Sequence, residues 1–444
     1  MREAALFAAA GFLVLGLSDL GVDFVWIGLR LARRSASRIA ADGLPPPAAP
    51  GLLAIFVPAW DEAAVIGAML RAALASFGDG DYRLYVGCYP NDPATIAAVK
   101  AVGAARIRLV IGPVPGPTTK ADCLNRLWET LLADETADGR MAKAVVLHDA
   151  EDVVHSAELA LFDRLIERFD LVQLPVLPLI DPRSRWVGGH YADEFAEAHG
   201  KELVVRAALG ASLPSAGVGC AFSRGALARI AARSGGLPFD AASLTEDYEL
   251  GLRIREDEGA AAFVRIAAAR GGRIVATREY FPATVAAAVG QKARWIVGIA
   301  LCGWDRLGWS GGAAERWMRL RDRQSVLAAL LLFAAYWALA LWFLLQAWSG
   351  LTGTPLAPPS SALLSLTLFN LALLAWRLAL RFGFVASAYG WREGLRSIPR
   401  TIVGNFIFML AAREALTRYL AGRRTGAMRW DKTSHVFPAE TPAE

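Results

Sequence analysis

The stretch LLAIFVPAWDEAAVIGAMLRAALAS, residues 52–76, decides the fold of this chain. Residues 52–58 form a short, continuous apolar run of the length expected for a buried strand. The residues that follow, from Asp61 to Ser76, place apolar side chains at helical spacing. A buried strand followed directly by a helix is the unit from which parallel α/β sheets are built.

The same alternation continues downstream. Apolar runs follow at residues 83–88, 106–112 and 143–148, and helical stretches at residues 93–102 and 120–133 separate them. This pattern predicts a mostly parallel sheet with helices on both faces. Ligands of such sheets bind at the carboxyl ends of the strands, where the strand order reverses. The sequence contains no GxGxxG or Walker lysine loop, which argues against a dinucleotide or P-loop site.

The composition excludes several classes of protein. Of 444 residues, 55% are hydrophobic and only 20% are charged, which excludes a disordered or fibrous chain. The four cysteines form no CxxC pair, so that neither a disulfide framework nor a zinc site is indicated. The net charge of +5 is modest, and the basic residues form no stripe interleaved with aromatic ones. We therefore expect no nucleic-acid partner.

The N-terminal segment, residues 1–32, is predicted to be a transmembrane anchor. Residues 4–29 are apolar except for Asp19 and Asp23, which are four apart and so share one helical face that we expect to contact protein. The alternative is a cleaved signal peptide, but no small-x-small cleavage site precedes the mixed segment and arginines follow directly. The arginines that follow predict a cytoplasmic location for the next domain: Arg30, Arg33, Arg34 and Arg38.

The C-terminal region, residues 311–444, carries two further segments of spanning length, at about residues 325–348 and 362–381. The apolar piece Thr401–Ala412 is short for a span and better suits an interfacial helix at about residues 400–416. A further crossing would also leave the basic tail outside, against the positive-inside rule. The tail is therefore expected in the cytoplasm.

Acidic residues follow the fourth predicted strand directly, in the sequence His148-Asp149-Ala150-Glu151-Asp152. Asp149 and Glu151 are two residues apart at a strand end, so that both can point to one side and share a divalent cation. Oxygen ligands of this type suit Mg²⁺ or Mn²⁺, which can also hold a diphosphate. The alternative is a solvated acidic turn. The position directly after a buried strand favours the metal interpretation.

A second acidic group, Thr245-Glu246-Asp247, opens a predicted helix about a hundred residues downstream. In one interpretation Thr245 is an N-cap, and the two carboxylates are favoured by the helix dipole. In the other, a carboxylate at this helix start is well placed to act as a general base.

A third group, QKARW at residues 291–295, lies on an alanine-rich amphipathic helix. Gln291, Arg294 and Trp295 fall at positions i, i+3 and i+4 and therefore share one face. Such a face suits a sugar phosphate, because Arg binds phosphate oxygens and Trp covers the apolar face of a pyranose. The alternative is an interfacial Trp beside a snorkelling Arg at the membrane.

These three groups, in this order and followed by apolar segments, resemble the D, DxD, [TE]D, QxxRW pattern of membrane-bound family 2 glycosyltransferases, the relatives of cellulose and hyaluronan synthases. The resemblance covers roughly residues 50–435. Stretches such as FVPAWDEAAVIG, GPTTKADCLN, YADEFAEAHGKELVVR and PSAGVGCAFSR are similar to the NfrB-like, or phage-adsorption-protein-B, group of that family.

The resemblance implies a GT-A fold, a Rossmann-like nucleotide-diphospho-sugar transferase domain with a mostly parallel sheet, at residues 50–310. It also implies that the loop lining the nucleotide site contains Pro58, Asp61 and Glu62, and that Lys120 lies near the donor diphosphate. The implied metal-binding pair is Asp149 and Glu151, and the implied general base is Asp247, with Glu246 as the neighbouring acid. The implied motif that holds the leaving group and acceptor consists of Gln291, Arg294 and Trp295.

One departure from the family pattern follows the second strand. There Cys88-Tyr89-Pro90-Asn91-Asp92 replaces the usual Asp-Asp-Gly. The residue that contacts the nucleotide at this place is left open, with Asp92 as the candidate.

The activity implied is an inverting transfer of a sugar, an N-acetylhexosamine such as ManNAc, from a UDP-sugar to a growing exopolysaccharide at the bacterial inner membrane. The cofactor implied is Mg²⁺ or Mn²⁺. The alternatives are a single transfer to a lipid-linked or glycan acceptor and a catalytically silent scaffold of an envelope secretion complex. Long members of the group carry a C-terminal domain that binds a cyclic dinucleotide. We therefore expect an outer-membrane or regulatory protein among the partners. The predicted membrane spans add membrane lipid to them.

Overall fold

The computed structural model describes residues 2–32, 40–425 and 436–438. Three of the arginines after the first predicted span, Arg33, Arg34 and Arg38, lie outside the described residues, as do residues 426–435 of the basic tail. The membrane side predicted from them stays a prediction.

Seven strands in the described part of the chain form one sheet. They are β1 (Leu53–Pro58), β2 (Tyr82–Cys88), β3 (Ile107–Ile111), β4 (Ala144–Leu147), β5 (Leu171–Gln173), β6 (Cys220–Ser223) and β7 (Ala261–Phe263). Their order is β3-β2-β1-β4-β6-β5-β7. The pairs within β3-β2-β1-β4 and the pair β5-β7 are parallel, whereas β6 is antiparallel to both of its neighbours. The mostly parallel sheet predicted from the sequence is confirmed.

The strands predicted from the apolar runs are β1 to β4, and their bounds agree with the prediction to within one residue at each end. The chain builds outward from β1 through β2 to β3 and then returns to add β4 on the other side of β1. The direction of winding therefore reverses between β1 and β4. A crevice at the carboxyl ends of these two strands is where ligands bind in sheets of this kind.

The helices of the described chain follow in sequence order. They are α1 (Arg2–Ala32), α2 (Ile66–Phe77), α3 (Pro93–Lys100), α4 (Lys120–Asp138), α5 (Glu158–Leu165), α6 (Val187–Glu197), α7 (Leu203–Ala208), α8 (Arg224–Arg233), α9 (Glu246–Glu256), α10 (Val285–Trp295), α11 (Gly303–Leu307), α12 (Ala313–Arg323), α13 (Ser325–Thr352), α14 (Ser361–Tyr389) and α15 (Trp391–Thr425). Two π-helical segments, Ala198–Glu202 and Ile296–Cys302, join α6 to α7 and α10 to α11 without a break.

Alternate residues of β1 supply the two hydrophobic cores of the sheet, because successive side chains of a strand point to opposite faces. Ile55 and Val57 pack under α2, α3 and α5, whereas Ala54 and Phe56 pack under α4, α8 and α9. All four of these side chains are fully buried. Both faces of the sheet are thus covered, which leaves the strand ends as the accessible part.

A third core joins α10, the helix that carries the QKARW segment, to its supports. Val289 of α10 packs with Tyr191 of α6 and with Ile407 and Ala411 of α15. The QKARW segment at the end of α10 is therefore held between α6 and α15.

Four helical segments of the described chain are long and apolar enough to cross a membrane. Three are α1, α13 and α14, whose apolar windows are only 11%, 17% and 6% buried in the protein. The predicted segments 325–348 and 362–381 lie within α13 and α14, which extend further. The fourth, Val285–Leu307, includes the QKARW motif, and half of its window is buried.

The predicted interfacial helix at about residues 400–416 is the middle of a longer helix, α15. In the sequence, Arg400 is the charged residue directly before the apolar piece and predicts a polar boundary there. Arg400 is instead fully buried, with Nη2 2.7 Å from Asp193 Oδ1 and Nη1 2.8 Å from Glu393 Oε2. Because these carboxylates compensate its charge, the helix continues through this position.

The two acidic residues of α1 contact protein partners, as their shared helical face predicted. Asp19 forms ion pairs with Arg321 at 2.9 Å and Arg377 at 3.2 Å. Asp23 is buried, 2.7 Å from Lys201 Nζ, and accepts a hydrogen bond from Trp376 Nε1 at 2.9 Å. The first helix is thereby tied both to α14 and to the π-helical segment after α6.

Candidate active site

The loop after β1 is organised by a residue from the loop after β2. Pro58 ends β1 and is buried, and Asp61 and Glu62 follow it. Asp92 accepts hydrogen bonds from Asp61 N at 2.6 Å and from Thr95 N at 3.2 Å, and so caps α3. Both carboxylate oxygens of Asp92 are thus directed at backbone N–H groups. Its position predicts a role in shaping the loop that carries Asp61 and Glu62.

The predicted metal-binding pair meets the predicted diphosphate-binding lysine. Lys120, the first residue of α4, has its Nζ 2.5 Å from Asp149 Oδ1 at the end of β4. Both side chains remain partly accessible, at 18% and 30% of their surface. Glu151 is buried, and burial together with the nearby Asp149 and Glu279 carboxylates raises its pKa well above the usual range.

Lys120 is also the point at which the second acidic group approaches the first. Burial alone would lower the pKa of Lys120, but the carboxylates of Asp149, Glu246 and Asp247 together raise it above its ordinary value. The three acidic residues come from loops that are about a hundred residues apart in the chain. The ammonium group of Lys120 thus lies in the electrostatic field of Asp149 and of the two carboxylates at the start of α9.

The start of α9 carries two carboxylates with altered acidity, Glu246, which is buried, and Asp247, which is partly buried. Burial, and then the neighbouring Asp247, raise the pKa of Glu246 to about 7. Burial also raises the pKa of Asp247, while the cations of Lys120 and Arg294 act against this rise. Oδ1 of Asp247 accepts a hydrogen bond from Tyr248 N at 2.7 Å. Thr245 precedes the helix, but its side chain makes no capping hydrogen bond to the described residues.

The QKARW segment brings a cation to the same place. Arg294 is close enough to Glu246 and Asp247 to oppose the rise of both pKa values. Oε1 of Gln291 is buried and accepts no hydrogen bond from the described part of the chain. Trp295 packs edge-on against Tyr191, with 6.0 Å between ring centroids, inside an aromatic cluster that includes Phe281. Trp295 is therefore supported by protein from α6.

The donor atoms of the site fit a hard divalent cation. Asp149 and Glu151 offer oxygen ligands, and the pKa of Glu151 is raised first by burial and then by neighbouring carboxylates whose repulsion a cation would reduce. Within the described residues, no set of three or more His, Cys, Asp or Glu side chains is arranged to hold a metal ion. A cation held by two protein carboxylates would have further coordination positions open to other oxygen ligands.

Two titratable groups of the site were not predicted from the sequence, the buried His148 and the partly buried Glu279. His148 lies between Asp152 Oδ2, at 2.7 Å from Nδ1, and Glu158 Oε1, at 2.5 Å from Nε2. Burial would lower the pKa of His148, but these two carboxylates raise it to about 10. The charged imidazole anchors the loop that carries the DxE pair.

Glu279 is the second of these groups. Burial, with Asp152 and Asp149 nearby, raises its pKa well above the usual range. It lies in the irregular segment before α10, where no spacing or motif marks a functional residue. Only the fold brings it to the acidic cluster.

A family model described as "Glycosyltransferase like family 2" matches residues 50–298, more than half of the chain. The chain belongs to glycosyltransferase family 2. Bacteriophage adsorption protein B of Escherichia coli strain K12 is 36% identical to this glycosyltransferase over 477 aligned residues, which cover 99% of the chain and 63% of the relative. Bacteriophage N4 adsorption protein B of E. coli O157:H7 gives the same values. The predicted NfrB-like group is confirmed, and the chain spans 63% of the length of these relatives.

The fold of the glycosyltransferase is similar to that of a solved structure, the mannosyltransferase PcManGT from Pyrobaculum calidifontis in complex with GDP-Man and Mn²⁺. The TM-score is 0.52 with 17% sequence identity, over 92% of this chain and 99% of that one. This similarity, together with the family model, confirms the predicted GT-A fold.

Proposed function

We propose that this family 2 glycosyltransferase transfers a sugar from a UDP-sugar to a growing exopolysaccharide, with inversion at the anomeric carbon. The proposed sugar is an N-acetylhexosamine such as ManNAc. The proposed location is the bacterial inner membrane, with three spans and the catalytic domain on the cytoplasmic side. α15 is then an interfacial helix, which the apolar side chains on its exposed face support, among them Ile402, Phe406 and Leu410.

The observation that supports transfer chemistry is the position of Lys120. Its ammonium group pairs with Asp149, and the carboxylates of Glu246 and Asp247 also raise its pKa, so that two motifs separated by about a hundred residues face one cation. An ammonium group beside a DxE pair is suited to a diphosphate, because it pairs with phosphate oxygens as a point charge. The site lies at the carboxyl ends of β1 and β4, where ligands bind in sheets of this type.

The proposed reaction assigns one role to each group. Asp247 accepts the proton of the acceptor hydroxyl while the hydroxyl oxygen attacks the anomeric carbon on the face opposite the leaving group. The bond between that carbon and the diphosphate oxygen breaks, and its electron pair leaves with UDP. Lys120 and Arg294 stabilise the negative charge that develops on the diphosphate.

A divalent cation held by Asp149 and Glu151 would supply further stabilisation of that charge. The donor atoms at this place fit Mg²⁺ or Mn²⁺. The similar mannosyltransferase structure contains Mn²⁺ and a nucleotide sugar, which supports a metal and a nucleotide-sugar donor here as well.

The remaining ligand-binding assignments concern the donor and the acceptor. Pro58, Asp61 and Glu62 are proposed to line the nucleotide site, with Asp92 fixing the shape of this loop through its bonds to backbone N–H groups. Gln291 and Trp295 are proposed to contact the sugar at the acceptor side. The buried Oε1 of Gln291, which has no bond within the described residues, supports a contact with substrate.

The test is an assay of purified membranes with a panel of labelled nucleotide sugars, including UDP-ManNAc, UDP-GlcNAc, UDP-Glc and GDP-Man. Incorporation of label from a UDP-N-acetylhexosamine into a product of high molecular weight is the expected result. A product one sugar longer than its acceptor would replace polymer synthesis by the single-transfer alternative. If no donor is turned over by a chain that still binds UDP, the silent-scaffold alternative is correct.

A further inference from the structure

The backbone segment directly before β6 forms one wall of the site beside Asp247. Residues 209–219 connect the end of α7 to β6, and the last part of this connection, residues 214–219, contains two glycines, Gly217 and Gly219, with φ values of 75° and 55°. A Cβ atom placed on Gly217 would collide with Oδ2 of Asp247 and lie 3.1 Å from its Cγ. The carboxylate of Asp247 therefore packs directly on the backbone of Gly217.

The two oxygens of this carboxylate are thus fixed in different ways. Oδ1 accepts the hydrogen bond from Tyr248 N at 2.7 Å. Oδ2 occupies the space that exists because residue 217 has no side chain. The backbone of Gly217 decides how far the carboxylate can turn, and a shift of that backbone would move Oδ2.

One fully buried side chain, Gln173 at the end of β5, holds this segment in place. Its Nε2 donates to the carbonyl oxygens of Leu174 at 2.8 Å, Val218 at 2.9 Å and Gly219 at 3.2 Å. Its Oε1 accepts a hydrogen bond from Ala216 N at 2.8 Å. The amide thus binds the chain on both sides of Gly217.

Helix α9 is also packed closely on the start of this segment. A Cβ atom on Gly251 would lie 2.5 Å from Leu213 O and 2.9 Å from Pro214 C, so that α9 touches the backbone there. The helix that carries Asp247 and the segment that supports its carboxylate are therefore in contact at two places, Gly251 and Gly217.

We infer that Gln173 is a positioning residue that acts on the reaction through Gly217 and Asp247. Its amide fixes residues 216–219, and Gly217 in turn fixes the carboxylate that faces Lys120 and Arg294. This inference rests on the proposed role of Asp247 as general base. Because Gln173 is buried beneath the segment and bonds only to protein within the described residues, it acts on the base and leaves donor binding intact.

The test uses the full-length chain in detergent and two variants that disturb the same contact from opposite sides. Gln173→Met keeps the length of the side chain but removes all four hydrogen bonds. Gly217→Ala inserts a methyl group against Oδ2 of Asp247. The matched control is Gly103→Ala, because Gly103 has a similar φ of 65° and no atom within 4 Å of its missing Cβ.

Four quantities are measured for each variant: the Kd of UDP with MnCl2 by calorimetry, the melting temperature, and kcat and KM with the UDP-sugar that the wild type accepts best. In both Gln173→Met and Gly217→Ala we expect kcat to fall about 10- to 100-fold, because displacement of a catalytic group by less than an ångström or so has effects of this size. The Kd of UDP and the KM of the donor are expected to stay within about twofold of wild type. Gly103→Ala should show wild-type kcat at a similar change in melting temperature.

The outcomes separate the inference from the function on which it rests. A wild type that turns over no sugar nucleotide overturns both. A wild type that is active together with a Gln173→Met variant of equal kcat overturns the positioning role alone. Loss of UDP binding in folded Gln173→Met also overturns it, because the residue would then act on the donor site. If Gln173→Met does not fold, Gly217→Ala decides, since equal kcat in that variant and in Gly103→Ala contradicts the inference.

Discussion

Replacing Asp247 by Asn tests the proposed chemistry with little disturbance of the structure. The side-chain oxygen of Asn can still accept the hydrogen bond from Tyr248 N, which is 2.7 Å long in the wild type. The new amide group has the same size and fits the space above Gly217. The main change is therefore the loss of one negative charge and of the ability to accept a proton.

The size of the expected loss follows from the neighbours of Asp247. General-base catalysis contributes about 10²- to 10⁴-fold to rate, which corresponds to about 2.7–5.4 kcal/mol. Glu246 lies beside Asp247, and its pKa is raised to about 7 by burial and by that neighbour's charge. Once that charge is removed, the pKa of Glu246 falls and its carboxylate ionises close to the place of the lost base. Because this second carboxylate can offset part of the loss, we expect kcat to fall by about 10³-fold, which is below the upper end of the range.

The affinity for UDP should change little. The negative charge that the substitution removes near Lys120 is partly replaced when Glu246 ionises, so that UDP is expected to bind about as tightly as before. The assays are calorimetry with UDP and MnCl2 and a kcat measurement with the best donor of the panel. Glu256→Gln at the other end of the same helix, where the carboxylate pairs with Arg319 at 2.9 Å, is the control and should retain activity. Wild-type turnover by Asp247→Asn would refute the assignment of the base.

Three further predictions concern the metal, the topology and a buried ion pair. Chelation with EDTA should weaken UDP binding if Asp149 and Glu151 hold the cation, and binding in EDTA equal to that in MnCl2 would count against the metal site. A reporter fused after Glu444 should be read as cytoplasmic, whereas a periplasmic signal would mean that residues 401–412 cross the membrane. Glu197 has its pKa lowered to about 2, because the cations of Arg381 and Lys201 outweigh the effect of burial. A lowered folded-state pKa gives stability that is present above about pH 4.5 and is lost as the pH falls toward 2, so that melting temperature should fall more steeply there in wild type than in Glu197→Gln.

The parts of the fold that the sequence predicted are those with local signals. β1 to β4 are long apolar runs followed by helices, and each was found to within a residue. β5 and β7 have only three residues each, too few for any periodicity to show. The pairing of Asp19 and Asp23 with basic residues was predictable in kind, because two charges on one face of an apolar helix need partners. The identity of those partners was not, since it depends on how distant helices pack.

The site divides in the same way. Asp149, Glu151 and Asp247 stand in motifs directly after a strand or at a helix start, where sequence patterns reveal them. Gln173 and Glu279 stand in no motif. Only the fold brings Gln173 next to the backbone segment before β6 and Glu279 next to Asp149 and Asp152. Arg400 is the reverse case, because a charged residue next to an apolar run predicts a helix boundary, whereas the fold provides this arginine with two carboxylate partners inside one continuous helix.

The pairing of Asp23 with Lys201 has a practical consequence for biochemists who wish to express the enzyme without its anchors. Lys201 Nζ lies 2.7 Å from Asp23 and 2.9 Å from Glu197, with hardly any access to water. A truncated version beginning near residue 50 would keep the ammonium group and Glu197 but lose Asp23 and the apolar surface of α1 that covers them. Such a fragment would expose the apolar surface that α1 covers, together with a Lys201 ammonium group that has lost its Asp23 partner. It is therefore expected to aggregate. Reconstitution in nanodiscs of the whole polypeptide is therefore the appropriate starting point for enzymology.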